Sequence, residues 1–144
     1  MTSLVFPDIN VWLALASDAH VHHVAARSWF ESLEDDEELV FCRFTQLGLL
    51  RLLTLGGIMG KSVRTQQQAW AIYDAFVLEG SARLMQEPET LEQSFRRFAD
   101  HDTASPQDWG DSYLAAFADQ AGLRFVTFDK ALAGRVSGAV LLGR

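Results

Sequence analysis

Along this chain short apolar runs alternate with segments that repeat at helical spacing, and two of the runs stop at a carboxylate. In "SLVFPDINVW" the run from Leu4 to Phe6 ends at Asp8, and Ile9, Trp12, Leu13 and Ala16 then recur with the period of a helix. In "RFVTFDKALA" the run from Arg124 to Phe128 ends at Asp129. Alternation of this kind leaves few solutions. Strands joined by helical crossovers pair in parallel, and the helices cover both faces of the sheet. In such sheets a site lies beyond the carboxyl ends of the strands, where both acids stand.

The remaining pattern agrees. Helices are predicted over Val21–Leu33, with Val24, Ala25 and Trp29 on one side, and over Phe44–Leu55, Thr65–Leu78, Thr90–Ala99 and Asp108–Ala121. Strands are predicted at Leu39–Cys42, Ala82–Met85 and Ala139–Leu142. "GGIMG" (Gly56–Gly60) reads as a mobile loop, and Gly122 as a helix C-cap. A length of 144 residues holds one domain with a real core, taken as 1–144. The fold class is α/β, a three-layer sandwich around a mostly parallel sheet. No apolar run is long enough to span a bilayer and no secretion signal heads the chain. The single cysteine, Cys42, excludes an internal disulfide and fits a reducing cytoplasm.

An Asp between strand and helix is explained by capping alone. A third acid weakens that reading for the set. In "DWGDSYLAAFADQAG" the apolar face Leu114, Ala118, Ala121 is headed by Asp111, a costly choice unless something positive meets it. In "RFTQLGLLRLL" the face Leu49, Leu50, Leu53 is headed likewise by Gln46. Two strand ends and two helix starts would then converge, three of them acids. Converging carboxylates repel and call for a cation, and hard oxygens without His or Cys indicate Mg²⁺ or Mn²⁺ rather than zinc. The net charge of −7 argues against broad attraction to nucleic acid. It does not exclude a nucleic-acid enzyme, because bound metal reverses the local sign.

The blocks "PDINVWLAL", "CRFTQLGLLRLLT", "WGDSYLAAFA" and "FVTFDK" resemble the motifs of PIN-domain ribonucleases, in particular VapC-type toxins of toxin–antitoxin pairs. The resemblance implies a PIN fold, Mg²⁺-dependent endonucleolytic cleavage of RNA to 5′-phosphate and 3′-hydroxyl ends, a homodimer, and a small antitoxin laid along apolar grooves. By matching position it makes Asp8, Asp111 and Asp129 the catalytic, metal-holding acids. Asn10 matches the polar residue of the first block and Thr127 the one before the last acid. Many family members carry Glu where this chain has Gln46. An amide still offers a carbonyl oxygen but no charge, so the departure predicts weaker metal binding and questions a second metal.

Other features are weighed beside these. Asp108, one turn before Asp111, is either a fourth carboxylate or the N-cap of its own helix. Arg43 and Arg51 flank Gln46 and are candidates for RNA phosphate contact, or for surface pairing. His20, His22 and His23 fit no standard zinc spacing. "LGLLRLLTLGGIM" is more apolar than one helix of a small domain needs, which points to a partner surface. Two alternatives stand beside the nuclease. One is a phosphotransfer domain with Asp8 as acceptor, although "PDIN" lacks the second Asp of phosphatase-type nucleophiles. The other is a binding module that kept the fold and, through Gln46, lost activity.

Overall fold

The computed structural model describes residues 3–80 and 82–143. In chain order the strands are β1 (Ser3–Pro7), β2 (Glu37–Phe41), β3 (Ala82–Leu84), β4 (Arg124–Thr127) and β5 (Val140–Leu141). The helices are α1 (Ile9–Ala16), α2 (His23–Glu31), α3 (Arg43–Leu53), α4 (Gly56–Met59), α5 (Gln66–Leu78), α6 (Leu91–Phe98), α7 (Asp108–Ala121) and α8 (Lys130–Ala133). The sheet order is β3-β2-β1-β4-β5, and every pairing is parallel. The chain winds outward from β1 to β3, then returns to start β4 on the other side of β1. Adjacent crossovers therefore leave in opposite directions between β1 and β4, and a crevice opens at that switch point.

Residue alternation along each strand sorts the core into two layers. Val5, Leu39, Phe41 and Val126 face one side and pack with α1, α3 and α5. Phe6, Val40, Cys42 and Phe125 face the other and pack with α6, α7 and α8. The first layer is anchored by Trp12 stacked on Phe41 at 3.8 Å between ring centroids. The second is anchored by Phe6 on Phe117 at 5.2 Å. All four rings are fully buried, and truncating any one to Ala costs about 3–5 kcal/mol.

Several boundaries depart from the sequence reading for local reasons. The second helix starts at His23, and its buried residue is Ala26, while Val24 is 81% exposed. Gly56–Gly60 is no open loop: Gly56–Met59 form α4 and Gly60–Ser62 a 3₁₀ turn, because Met59 packs on the core and the Arg64 N–H reaches back to the Leu53 carbonyl at 2.8 Å. Helix α8 is an added element, capped by Asp129. On α3, Thr45, Gln46, Leu49 and Leu53 are buried and Leu47 is 57% exposed, so this apolar helix is only half covered. Among the described residues no helix is long and apolar enough to cross a membrane.

Candidate active site

The β1–β4 register pairs Pro7 with Val126, which carries Asp8 and Asp129 out at the same end of the crevice. The Asp8 N–H continues the ladder by donating to the Val126 carbonyl at 2.8 Å. Asp8 is also the N-cap of α1: its Oδ1 accepts from the Ile9 N–H at 2.7 Å. Its Oδ2 accepts from the Thr127 hydroxyl at 2.9 Å. Thr127, fully buried, in turn accepts from the Asp129 N–H at 3.0 Å. Asp129 caps α8 by accepting from the Leu132 N–H at 3.1 Å. Capping and site-building are thus the same act here. Each cap bond fixes one side of a carboxylate and leaves lone pairs free, since an ionised carboxylate has about four acceptor directions.

Asp111 comes from the third direction, the first turn of α7. Together Asp8, Asp111 and Asp129 line a cleft of about 310 Å³ whose other walls are Ile9, Asn10, Phe44, Leu52, Gln107, Gly110, Leu114 and Phe128. Burial pushes the Asp8 carboxyl above the usual carboxylate range. The bonds from Thr127 and Ile9 oppose that shift, and Asp129 adds to it. Burial likewise raises Asp111, helped by repulsion from Asp8, Asp129 and Asp108 and opposed by Arg135. Asp8 and Asp111 therefore sense the neighbouring acids electrostatically. Their oxygens are hard donors, and neither His nor Cys lines the cleft, a donor set suited to Mg²⁺ or Mn²⁺. Among the described residues no three Asp, Glu, His or Cys groups meet closely enough to hold an ion as placed. The acids line the wall without closing into a cage.

The other sequence candidates divide. Asn10 lines the cleft and Thr127 bridges two of its acids. Gln46 does not join them. It is buried on the opposite face of α3, its Oε1 accepting from Arg43 Nη1 at 2.6 Å and its amide reaching the Tyr73 hydroxyl. The face that α3 turns to the cleft is Phe44, Gly48 and Leu52, at four-residue spacing. A Cβ on Gly48 would strike the Ile9 side chain, so glycine lets α3 approach α1. Arg43 is held by Gln46, and Arg51 lies in a separate groove with Leu47 and Trp70. Asp108 is not the N-cap of α7, a place taken by Gln107 without a side-chain bond. It points away from the cleft into bonds with His101, Ser112 and Arg135. Two of the histidines have other partners. The His23 ring bonds the Ala14 carbonyl, and His22 stacks on Phe128 at 4.4 Å. Sequence reasoning missed the apolar walls and Arg135. Only Ser112, one turn after Asp108, had a readable spacing.

A family model described as the PIN domain matches residues 5–136. The chain is 44% identical over 128 residues to Ribonuclease VapC41 of Mycobacterium tuberculosis, covering 86% of this chain and 88% of that one. Among solved structures, Mycobacterium tuberculosis VapC20, a Sarcin-Ricin loop cleaving toxin, superposes with a TM-score of 0.66 at 18% identity, over 92% of this chain and 94% of that one. VapBC2 from Rickettsia felis, bound to a DNA fragment from its promoter, gives a TM-score of 0.68 at 10% identity, over 96% of each chain. The structural likenesses speak to the fold.

Proposed function

The chain belongs to the PIN-domain family, in its VapC branch, and on that premise we propose that it is a Mg²⁺-dependent endoribonuclease, the toxin of a toxin–antitoxin pair. The observation that carries the reading is the meeting of Asp8, Asp111 and Asp129, from two strand ends and one helix start, around one cleft at the switch point of the sheet. These three carboxylates would hold the cation, directly or through water, with Mn²⁺ able to substitute. When bound there, the cation would supply an acidified water and a polarised phosphate. Thr127 locks Asp8 and the backbone of Asp129 in mutual register. Asn10 presents an amide at the cleft mouth, where a phosphate or ribose oxygen would lie. Phe44 and Phe128 give apolar walls that limit water access. Gln46 lies off the cleft, so the reading rests on the three acids without it.

The test is direct. Purified protein is incubated with total RNA, with and without Mg²⁺, and the cut ends are mapped. Metal-dependent cuts with 5′-phosphate and 3′-hydroxyl ends are expected, and none from Asp8→Asn, Asp111→Asn or Asp129→Asn. Cutting that persists in chelator, or wild-type rates from two of the three variants, would sink the assignment. The exposed apolar side chains Leu47, Ile58, Val63 and Trp70 offer surface for a second copy of the chain and for a small antitoxin. Light scattering at high concentration, and co-purification with the co-encoded protein, test those partners. A toxin acting on cellular RNA would work in the cytoplasm, a location that fractionation would check.

A further inference from the structure

Helix α7 brings Asp111 to the cleft, yet its cap residue Gln107 makes no side-chain bond to hold its first turn. Asp108 makes those bonds instead. Its Oδ1 accepts from Arg135 Nη1 at 2.6 Å, and its Oδ2 from the Ser112 hydroxyl at 2.6 Å, with His101 Nε2 at 2.5 Å on the same oxygen. Arg135 Nη2 donates to Ser112 Oγ at 2.9 Å and to the Phe98 carbonyl, at the end of α6, at 2.9 Å. Ser112 has one hydroxyl proton, and the short bond to a charged oxygen takes it, so Arg135 serves Phe98. The result is a closed ring of Arg135, Ser112 and Asp108, with the guanidinium 6.0 Å from the centre of the Phe98 ring. The Asp108 and Arg135 side chains are only 22% and 27% exposed.

The ring's place in the chain matters more than its strength. Asp108 sits one helical turn before Asp111. Arg135 follows α8, the short helix that Asp129 caps. The ion pair therefore ties the segment carrying one cleft acid to the helix carrying another, from behind the cleft. We propose that Asp108 and Arg135 are positioning residues, a clamp that sets the spacing between Asp111 and Asp129 and so the cleft's affinity for a divalent cation. The inference rests on the metal-site reading above and adds a role for two residues outside that site.

The sign of one substitution separates positioning from plain electrostatics. Arg135 is near enough to Asp111 to favour its charge. By Coulomb's law alone, removing this cation should tighten the binding of another. By positioning, its removal should loosen binding. Mn²⁺ is titrated by calorimetry into the metal-stripped full chain. Arg135→Gln and Asp108→Asn should each weaken binding by about tenfold or more, the usual cost of losing a group that orients metal ligands. The double variant should be no worse than the weaker single, because the two act as one unit. At limiting Mn²⁺, kcat should fall while KM for RNA stays within about twofold. In the metal-free protein, amide exchange from Ser112 to Ala115 should speed up in both variants, since the first turn has lost its tether.

Unchanged or tighter Mn²⁺ binding by Arg135→Gln overturns the clamp. So does loss of affinity in Asp108→Asn alone, which would make Asp108 a ligand. If Arg135→Gln fails to fold, Ser112→Ala replaces it. That variant keeps both charges and removes a bond to each, and wild-type affinity there also overturns the proposal. A wild type that binds no Mn²⁺ overturns the metal reading and the clamp together. Wild-type binding with unaltered variants overturns the clamp alone.

Discussion

Asp108 and Asp111 share the first turn of one helix and have opposite surroundings. Both oxygens of Asp108 are engaged, by Arg135 on one side and by Ser112 and His101 on the other. These bonds, the one from Ser112 foremost, hold its carboxyl down at about 2. At Asp111 burial and three neighbouring acids raise the carboxyl, Arg135 alone opposes them, and no hydrogen bond among the described residues relieves it. A helix N-terminus favours both charges, so the difference comes from what lies across from each. One acid is spent on the fold. The other is left unrelieved, the state that the proposed metal site would need before metal arrives.

The largest effect that would break the contrast is on catalysis. At saturating Mn²⁺, Asp111→Asn should abolish RNA cleavage while Asp108→Asn keeps it, since excess metal offsets a weakened site but not a missing ligand. Equal loss in both would erase the distinction, and a gel assay of cut RNA decides it.

Stability should move in opposite directions. Breaking a buried ion pair by removing one partner costs about 3–5 kcal/mol. With about a quarter of each side chain in water, Asp108→Asn should cost less, roughly 1–2 kcal/mol after screening. Metal-free Asp111→Asn should melt higher than wild type, because it removes repulsion at nearly constant volume. Thermal melts in chelator at neutral pH read both signs. Mn²⁺ should then raise the melting temperature of wild type by mass action and leave that of the Asp8, Asp111, Asp129 triple Asn variant unchanged.

The pH dependence sharpens the same comparison. Asp108 has a depressed folded pKa, so its stabilisation is full above the unfolded carboxyl value near 3.9 and is lost as pH falls toward about 2. Asp8 and Asp111 have raised folded values. The folded state then binds protons more tightly than the unfolded chain, and the metal-free protein gains stability as pH drops from neutrality toward that unfolded value. Stability in chelator should therefore rise on mild acidification and collapse in stronger acid. Asp111→Asn should flatten the rise, and Asp108→Asn should blunt the collapse. A melting series across pH 2–8 shows whether the two limbs separate.

The smallest effect is expected at Gln46. Placed against Arg43 and Tyr73 rather than the cleft, Gln46→Glu should leave Mn²⁺ affinity unchanged by calorimetry, its new charge being taken by Arg43. Tighter binding would show that Gln46 reaches the site and that α3 turns its other face inward.

Asp8 and Asp129 were legible because an apolar strand run stops abruptly at each, and the parallel sheet puts both stops at one edge. Asp111 was legible because an acid heads an apolar helical stripe. Gln46 misled because α3 is apolar on both sides. Periodicity identifies a stripe, but two stripes leave the rotation of the helix open, and the close approach of Gly48 to Ile9 settles it. The helix at Gly56–Met59 was hidden because glycine pairs favour loops, and only the packing of Met59 on the core overrides that preference.

By itself the sequence determined the strand–helix alternation, the acids at its turning points and the oxygen-only chemistry they offer. These are local patterns, written in the spacing of neighbouring residues. The tertiary structure decided which acid would be free. Asp108 and Arg135 are 27 positions apart with no pattern linking them, and they meet only because β4 returns beside β1 and carries the segment after α8 against the start of α7. Hydrogen bonds between such distant residues depend on the packed positions of whole elements. The choice of Asp111 over Asp108 for the cleft was made there.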